Sequence, residues 1–172
     1  LTKQRGKKDF VNSRRRIIIV LSKRLANIKR KEIPFILFGN TREVSSFNYM
    51  NWEQILELHN NENVEIGNHS HSHEYLVEEN TETIKKDIAK SIKIFKEQLG
   101  ENSEFFSYPF GEYSTDFKKI IKDLGFKYAF GQHSGVIDLN KDKFELPRFP
   151  INEKYGELKR FKSIVNYFPL EY

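Results

Sequence analysis

Four short apolar runs, each followed by a stretch with helical spacing or a polar closing segment, limit what this chain can fold into. They are Ile33-Pro34-Phe35-Ile36-Leu37-Phe38-Gly39, Asn63-Val64-Glu65-Ile66-Gly67, Phe105-Phe106-Ser107-Tyr108 and Phe126-Lys127-Tyr128-Ala129-Phe130. Runs this short, closed by Gly or Pro, read as strands buried on both faces of a parallel sheet. Between them, Asn51 caps a predicted helix carrying Trp52, Ile55, Leu56 and His59. A longer helix over Thr81 to Leu99 buries Ile84, Ile88, Ile92 and Phe95 and stops at Gly100, and a third spans Thr115 to Leu124 before Gly125. A short strand around Phe144 to Leu146 and a helix from about Gly156 to Tyr167 are expected to close the chain. The alternation argues for an α/β domain with a mostly parallel sheet, open or closed toward a barrel. Its working face is then the carboxyl end of the strands.

The start of the chain has a different character. Residues 1 to 31 hold 12 Lys or Arg against the single Asp9, whereas residues 32 to 172 hold 17 basic and 23 acidic residues, so +11 is followed by −6. The sequence therefore divides into an atypical basic segment, 1–31, and one domain, 32–172, long enough for a single core. Within the basic segment Ile17, Ile18, Leu21, Leu25 and Ile28 follow a helical period, which predicts a helix over Ser13 to Lys31. The β-branched run Ile17-Ile18-Ile19-Val20 would suit a strand as well. Charge asymmetry of this size can mark an arm for nucleic acid or acidic membrane. The absence of interleaved aromatic residues argues against nucleic acid and for a solvated face or tail. No run approaches the ~18 apolar residues of a membrane span, and no hydrophobic stretch of signal-peptide length follows the basic start, so the sequence reads as soluble. With no Cys, disulfides and thiolate metal ligands are excluded, and any metal must be held by His and carboxylates.

Three predicted loops converge on the carboxyl rim. After the second strand comes His69-Ser70-His71-Ser72-His73, after the third Pro109-Phe110-Gly111-Glu112-Tyr113, and after the fourth Gly131-Gln132-His133-Ser134-Gly135. His69 and His73 would point the same way on a helical turn, and all three histidines would do so in an extended segment. Two imidazoles and a carboxylate leave open positions for water on Zn²⁺ or Fe²⁺. Solvated loop histidines or a capping network are the alternative.

The string EIGNHSHSHEYL resembles the second motif of the polysaccharide deacetylases, the NodB-homology or carbohydrate esterase family 4 group, with its His-Ser/Thr-x-x-His pattern. IPFILF resembles the strand before it, NWEQILEL the helix leading in, and FFSYPFGEYS the third motif. AFGQHSG and LPRFPIN resemble the branch acting on poly-N-acetylglucosamine. The resemblance covers about residues 33 to 160 and implies a deformed or incomplete (β/α) barrel with mostly parallel strands. It implies a metal-dependent hydrolase that removes N-acetyl groups from an N-acetylglucosamine polysaccharide. His69 and His73 would be metal ligands, for zinc first, with Fe²⁺, Co²⁺ or Ni²⁺ as alternatives; His71 falls on a variable position and would support the loop or face solvent. The backbone N–H of Phe110 would help hold the oxyanion, and Tyr108, Pro109, Phe110 and Tyr113 would form the sugar-binding loop.

The sequence departs from that pattern at its start. The Thr-Phe-Asp-Asp-Gly motif, which supplies the general base and the third metal ligand, is absent, so the first strand is expected to be missing. Ser107 stands where the third motif has Arg, and no Leu-x-His phrase supplies the acid, leaving His133 as the nominee. A replaced or out-of-frame segment over residues 1 to about 31 would explain the coincidence of lost motif and basic charge. Activity is therefore in question, and the alternative is a non-catalytic carbohydrate-binding relative.

Overall fold

The computed structural model describes residues 17–20 and 35–148, apart from Asn48, Val136 and Leu139. It contains five parallel strands in the order of the chain, β1 (Ile17–Val20), β2 (Phe35–Gly39), β3 (Val64–Asn68), β4 (Phe105–Ser107) and β5 (Tyr128–Phe130). Helix α1 (Trp52–His59) links β2 to β3, α2 (Thr81–Leu99) links β3 to β4, and α3 (Thr115–Asp123) links β4 to β5. Each of these helices begins at a side-chain cap: Asn51, expected from the sequence, and Asn80 and Ser114 accept from backbone N–H groups of the first turn. Gly100 ends α2 with a φ of 82°, a left-handed conformation that suits glycine.

Ile17–Val20 is a strand, not part of the expected helix. It pairs in register with Phe35 to Phe38, so a first strand is present and the sheet extends across the boundary expected at residue 31. The physical reason is the one the β-branched run offers: four consecutive stiff side chains fit a pleated surface better than a helical turn. The predicted closing helix near Gly156 to Tyr167 lies outside the described residues. Leu146 makes a parallel bridge to Phe130, the remnant of the short strand expected there. On α1 the buried residues are Ile55 and Leu58, while Leu56 is exposed.

Strand order equal to chain order has a geometric consequence. A parallel crossover is right-handed in nearly all proteins, so a sheet that always steps the same way places every helix on one face. The core clusters follow that division. Phe35, Leu37, Val64 and Ile66 pack with Ile55, Leu58 and Phe95, and Phe106, Tyr108 and Ala129 pack with Ile84, Ile88, Phe117, Ile120 and Ile121. Among the described residues the opposite face carries no helix, yet Ile36, Phe38, Phe105, Phe130 and Leu146 form a separate apolar cluster there. Phe38 on β2 meets Phe130 on β5 with 5.5 Å between ring centroids, although two strands lie between them. The sheet therefore curls around this face, as in a partial (β/α) barrel whose interior is filled by side chains. Among the described residues, no helix is long and apolar enough to cross a membrane.

Gly67 on β3 allows the curl. A Cβ there would lie 2.3 Å from the Phe38 ring, so Phe38 crosses the strand only because no side chain occupies that position. Gly67→Ala should destabilise the fold by about 1–3 kcal/mol through overpacking. Urea denaturation checks this, and Phe38→Leu in the same chain should recover part of the loss.

Candidate functional site

The site begins where β3 ends. Asn68, fully buried on the helical side of the sheet, accepts hydrogen bonds from the Ser70 N–H at 3.0 Å and from the Ser91 hydroxyl of α2 at 2.9 Å. Ser70 takes a left-handed φ of 68°, and its hydroxyl oxygen accepts from the His73 N–H at 3.0 Å. Asp87, also on α2, accepts from the His71 N–H at 2.8 Å and the Ser72 N–H at 3.0 Å. From the other side, the Thr41 and Arg42 N–H groups donate to the Ser70 and His71 carbonyls. The histidine segment is neither helical nor extended. It is a loop with left-handed residues at Ser70 and His73, fixed by α2 and by the loop after β2.

This loop turns His69 and His73 toward each other, with ring centroids 4.7 Å apart and planes at 68°. His69 is buried, and its Nδ1 lies 2.6 Å from the Ser107 carbonyl oxygen at the end of β4. A carbonyl only accepts, so Nδ1 carries the proton and Nε2 keeps a lone pair. Burial pushes the His69 pKa down to about 3, the Ser107 bond opposing this and the charges of His73 and Arg148 adding to it. Burial likewise lowers His73. Both rings are thus neutral near pH 7, the state in which imidazole binds a metal. His71 points elsewhere, with its Nδ1 2.8 Å from the Thr41 hydroxyl.

The loop after β4 forms a turn over Pro109–Gly111. Phe110 adopts φ 56°, unusual for a bulky residue, and its ring lies 4.9 Å from His73 and 5.7 Å from Tyr75. Gly111 has a φ of 78°, and a Cβ there would strike Gln132, so the turn presses against the loop after β5. Tyr108 and Pro109 do not line an open groove. Tyr108 is fully buried, and its hydroxyl donates to the Phe144 carbonyl at 3.1 Å. Pro109 is buried as well. Residue alternation explains the correction, because Tyr108 continues the helix-facing series of Phe106. Tyr113 is half-buried, with Tyr108 5.0 Å away on one side and His133 6.5 Å away on the other. The exposed His133 therefore sits against Tyr113, on the same rim as the histidine pair.

Several residues escaped sequence reasoning. Arg148 is 8% exposed, its N–H donates to the His133 carbonyl, and its Nε has no hydrogen-bond partner. Burial brings its pKa down to about 10. It follows Leu146 by two positions in a segment paired with β5, which carries it toward the interior face. The Ser107 hydroxyl is a second buried group without a partner. Asp87 and Ser91 had a legible signal, as polar residues on or beside the stripe Ile84, Ile88, Phe95. Tyr75 had none, because a single loop tyrosine carries no pattern. Among the described residues, no group of three or more His, Asp or Glu side chains is placed to hold a metal.

A curled parallel sheet with its helices outside and paired histidines on its carboxyl rim is the architecture of the NodB-fold deacetylases. The family profile "Polysaccharide deacetylase" matches residues 20–129, and the chain belongs to that family. It is 25% identical over 139 residues to the poly-beta-1,6-N-acetyl-D-glucosamine N-deacetylase of Staphylococcus aureus (strain MRSA252), a match covering 73% of this chain and 48% of that protein. The chain thus spans about half the length of this curated relative. Among solved structures it resembles the Streptococcus pyogenes deacetylase PplD in complex with acetate, with a TM-score of 0.71, 16% identity and coverage of 80% and 61%. It also resembles IcaB from Ammonifex degensii, with a TM-score of 0.67, 22% identity and coverage of 74% and 60%.

The depressed His69 pKa makes a prediction about stability. In the unfolded chain His69 takes up a proton near its ordinary value of 6.5, whereas in the native protein it resists until about 3. Its contribution is therefore full above pH 6.5 and is lost as pH falls from 6.5 toward 3, by an amount on the order of 5 kcal/mol at most. His69→Gln can still donate to the Ser107 carbonyl but does not titrate. Unfolding free energies measured from pH 7 to 4 should fall less steeply in this variant than in the wild type.

Proposed function

We propose that this chain is the core of a metal-dependent hydrolase that removes N-acetyl groups from an N-acetylglucosamine polysaccharide. The observation that carries the reading is the neutral, inward-facing pair His69 and His73, with the His69 tautomer set by the Ser107 carbonyl. A metal-ligating histidine characteristically donates its other ring N–H to such an acceptor. The pair suits a divalent cation that prefers nitrogen, zinc first, with Fe²⁺, Co²⁺ or Ni²⁺ as alternatives. A cation bound there supplies Lewis acidity, lowering the pKa of water and polarising the acetamide carbonyl.

The remaining roles belong to the chain itself. Water adds to the acetamide carbonyl carbon, the carbonyl oxygen takes the negative charge, and the C–N bond then breaks to give acetate and a free amine. The Phe110 N–H, on a turn fixed by Pro109 and by the contact of Gly111 with Gln132, is the donor for the developing oxyanion. The exposed face of Phe110 beside His73 seats the sugar, with Tyr113 behind it. His133 is the nominee for protonating the leaving amine. The carboxylates whose charges act on His73 are Glu43 and Glu74, and among the described residues no group of three or more His, Asp or Glu side chains is placed to hold a metal, so no built acceptor for the proton of the attacking water accompanies the pair.

That same observation favours a second reading, a carbohydrate-binding relative that keeps the fold without the reaction. Zinc titration and acetate release from β-1,6-linked N-acetylglucosamine oligomers separate the two. Under the hydrolase reading the protein binds zinc, His73→Ala weakens that binding by about 100-fold or more, and chelation abolishes acetate release. Oligomer binding with no acetate released, with or without added zinc, would leave only the second reading.

A further inference from the structure

Unlike Gly100 and Gly111, Gly131 has no positive φ, so its backbone conformation does not call for glycine. Its surroundings do. It follows β5 directly and is buried, and a Cβ there would lie 2.9 Å from His133 Nδ1, 3.3 Å from His133 Cε1 and 3.0 Å from Tyr113 Cε1. One edge of the His133 imidazole and one edge of the Tyr113 ring therefore both rest on a bare α-carbon.

The main chain of this loop is fixed independently of that contact. The Gly131 N–H donates to the Leu146 carbonyl and the Arg148 N–H to the His133 carbonyl, each at 3.0 Å, so the loop continues the pairing of β5 with the segment beside it. This places the His133 backbone but leaves its exposed ring free to turn about its side-chain torsions. Tyr113 takes up that freedom, with ring centroids 6.5 Å apart and planes at 55°. Tyr113 in turn is held from behind. Tyr108 lies 5.0 Å away, and Lys118 Nζ stands 5.9 Å from the Tyr113 centroid, within reach of the negative face of the ring. Lys118 is kept there by Asp142 at 3.1 Å and by Glu145, both on the segment that leads into Leu146.

We infer that Gly131 is a positioning residue: with Tyr113 it forms a seat that holds the His133 imidazole at one place on the rim, and Lys118 fixes the outer wall of that seat. The chemistry explains the need for it. A proton donor works only within hydrogen-bond reach of the leaving nitrogen, and a displacement of about 1 Å can cost on the order of 100-fold in rate. An exposed ring on a surface loop samples its rotamers unless packing selects one. A methyl group at 131 is accommodated by the cheapest movement available, that of the exposed His133 ring rather than of the buried sheet. The fold then survives while the imidazole leaves its place.

The inference rests on the role proposed above for His133, and the experiment separates the two. In NMR spectra of protein with labelled histidine and tyrosine, the His133 ring signal is identified as the one lost in His133→Gln. Wild type should show a nuclear Overhauser contact between His133 Hε1 and the Tyr113 ring. Gly131→Ala should abolish it while leaving the circular dichroism spectrum and the His69 and His73 signals in place. With the β-1,6-linked N-acetylglucosamine tetramer, the kcat for acetate release by Gly131→Ala should fall by about tenfold or more, with KM changed by less than about threefold. Lys118→Met should lower kcat in the same sense, and Lys118→Arg, which keeps the cation, should restore it. A contact absent from wild type or unchanged in Gly131→Ala overturns the seat, as does a kcat in Gly131→Ala equal to that of wild type. Full activity in His133→Gln overturns the role of His133 and the inference with it. A wild type that releases no acetate removes the hydrolase reading alone, and the spectra then decide the seat.

Discussion

The structure depends on a constraint of winding. Because each strand is added beside the last in the same direction, all described helices fall on one face, and the other face must cover itself by curling. Phe38 reaching over Gly67 to Phe130 is the packing that sets this curvature. The curvature in turn gathers the loops after β2, β3, β4 and β5 around one mouth. A flat sheet of the same strands would string the histidines, the Pro109–Gly111 turn and His133 along an edge.

At the mouth, the polar groups follow the pleat of the strands. His69 comes one residue after Asn68, so the two face opposite sides. Asn68 ties the loop to α2 through Ser91, and His69 turns inward to Ser107. Asp87 then takes two backbone N–H groups of the same loop. The loop's rigidity thus comes from α2, outside the barrel, and its chemistry is presented inside. Neutral histidines, a left-handed Phe110 and a buried arginine are each costly alone, and their concentration on one rim is what a functional site looks like energetically.

Much of this was legible in the sequence. The four apolar runs and the bounds of α2 followed from periodicity, caps and glycines, and the histidine cluster fell on the predicted rim. The strand at Ile17–Val20 was misread because its apolar residues happen to continue a helical spacing through Leu21, Leu25 and Ile28, and a four-residue run is too short for periodicity to arbitrate. Tyr108 was misplaced for a different reason: an aromatic beside a motif looks functional, but its side of the pleat is decided by register with Phe106. The conformation of the histidine loop was hidden too, since Ser70 and His73 adopt positive φ without being glycine, held there by tertiary hydrogen bonds that no local pattern encodes.

Arg148 shows how the missing motif and the structure bear on each other. A guanidinium loses strong hydration on burial and regains it only from a well-placed anion. Its Nε has no such partner, and its lowered pKa has burial as the cause, with no acidic group offsetting it. Ser107, whose hydroxyl is also unpartnered, occupies the position where the family's third motif carries an arginine, and Arg148 approaches the same interior face from the segment beside β5. The site therefore retains a cation close enough to His69 to lower its pKa further. A second cation bound at the histidine pair would meet repulsion from Arg148 unless negative charge lay between them. Under the proposed hydrolase reading, a carboxylate between them would have two duties in one place, to receive a proton from water and to screen two positive charges from each other, and its absence would bear on metal affinity as directly as on turnover.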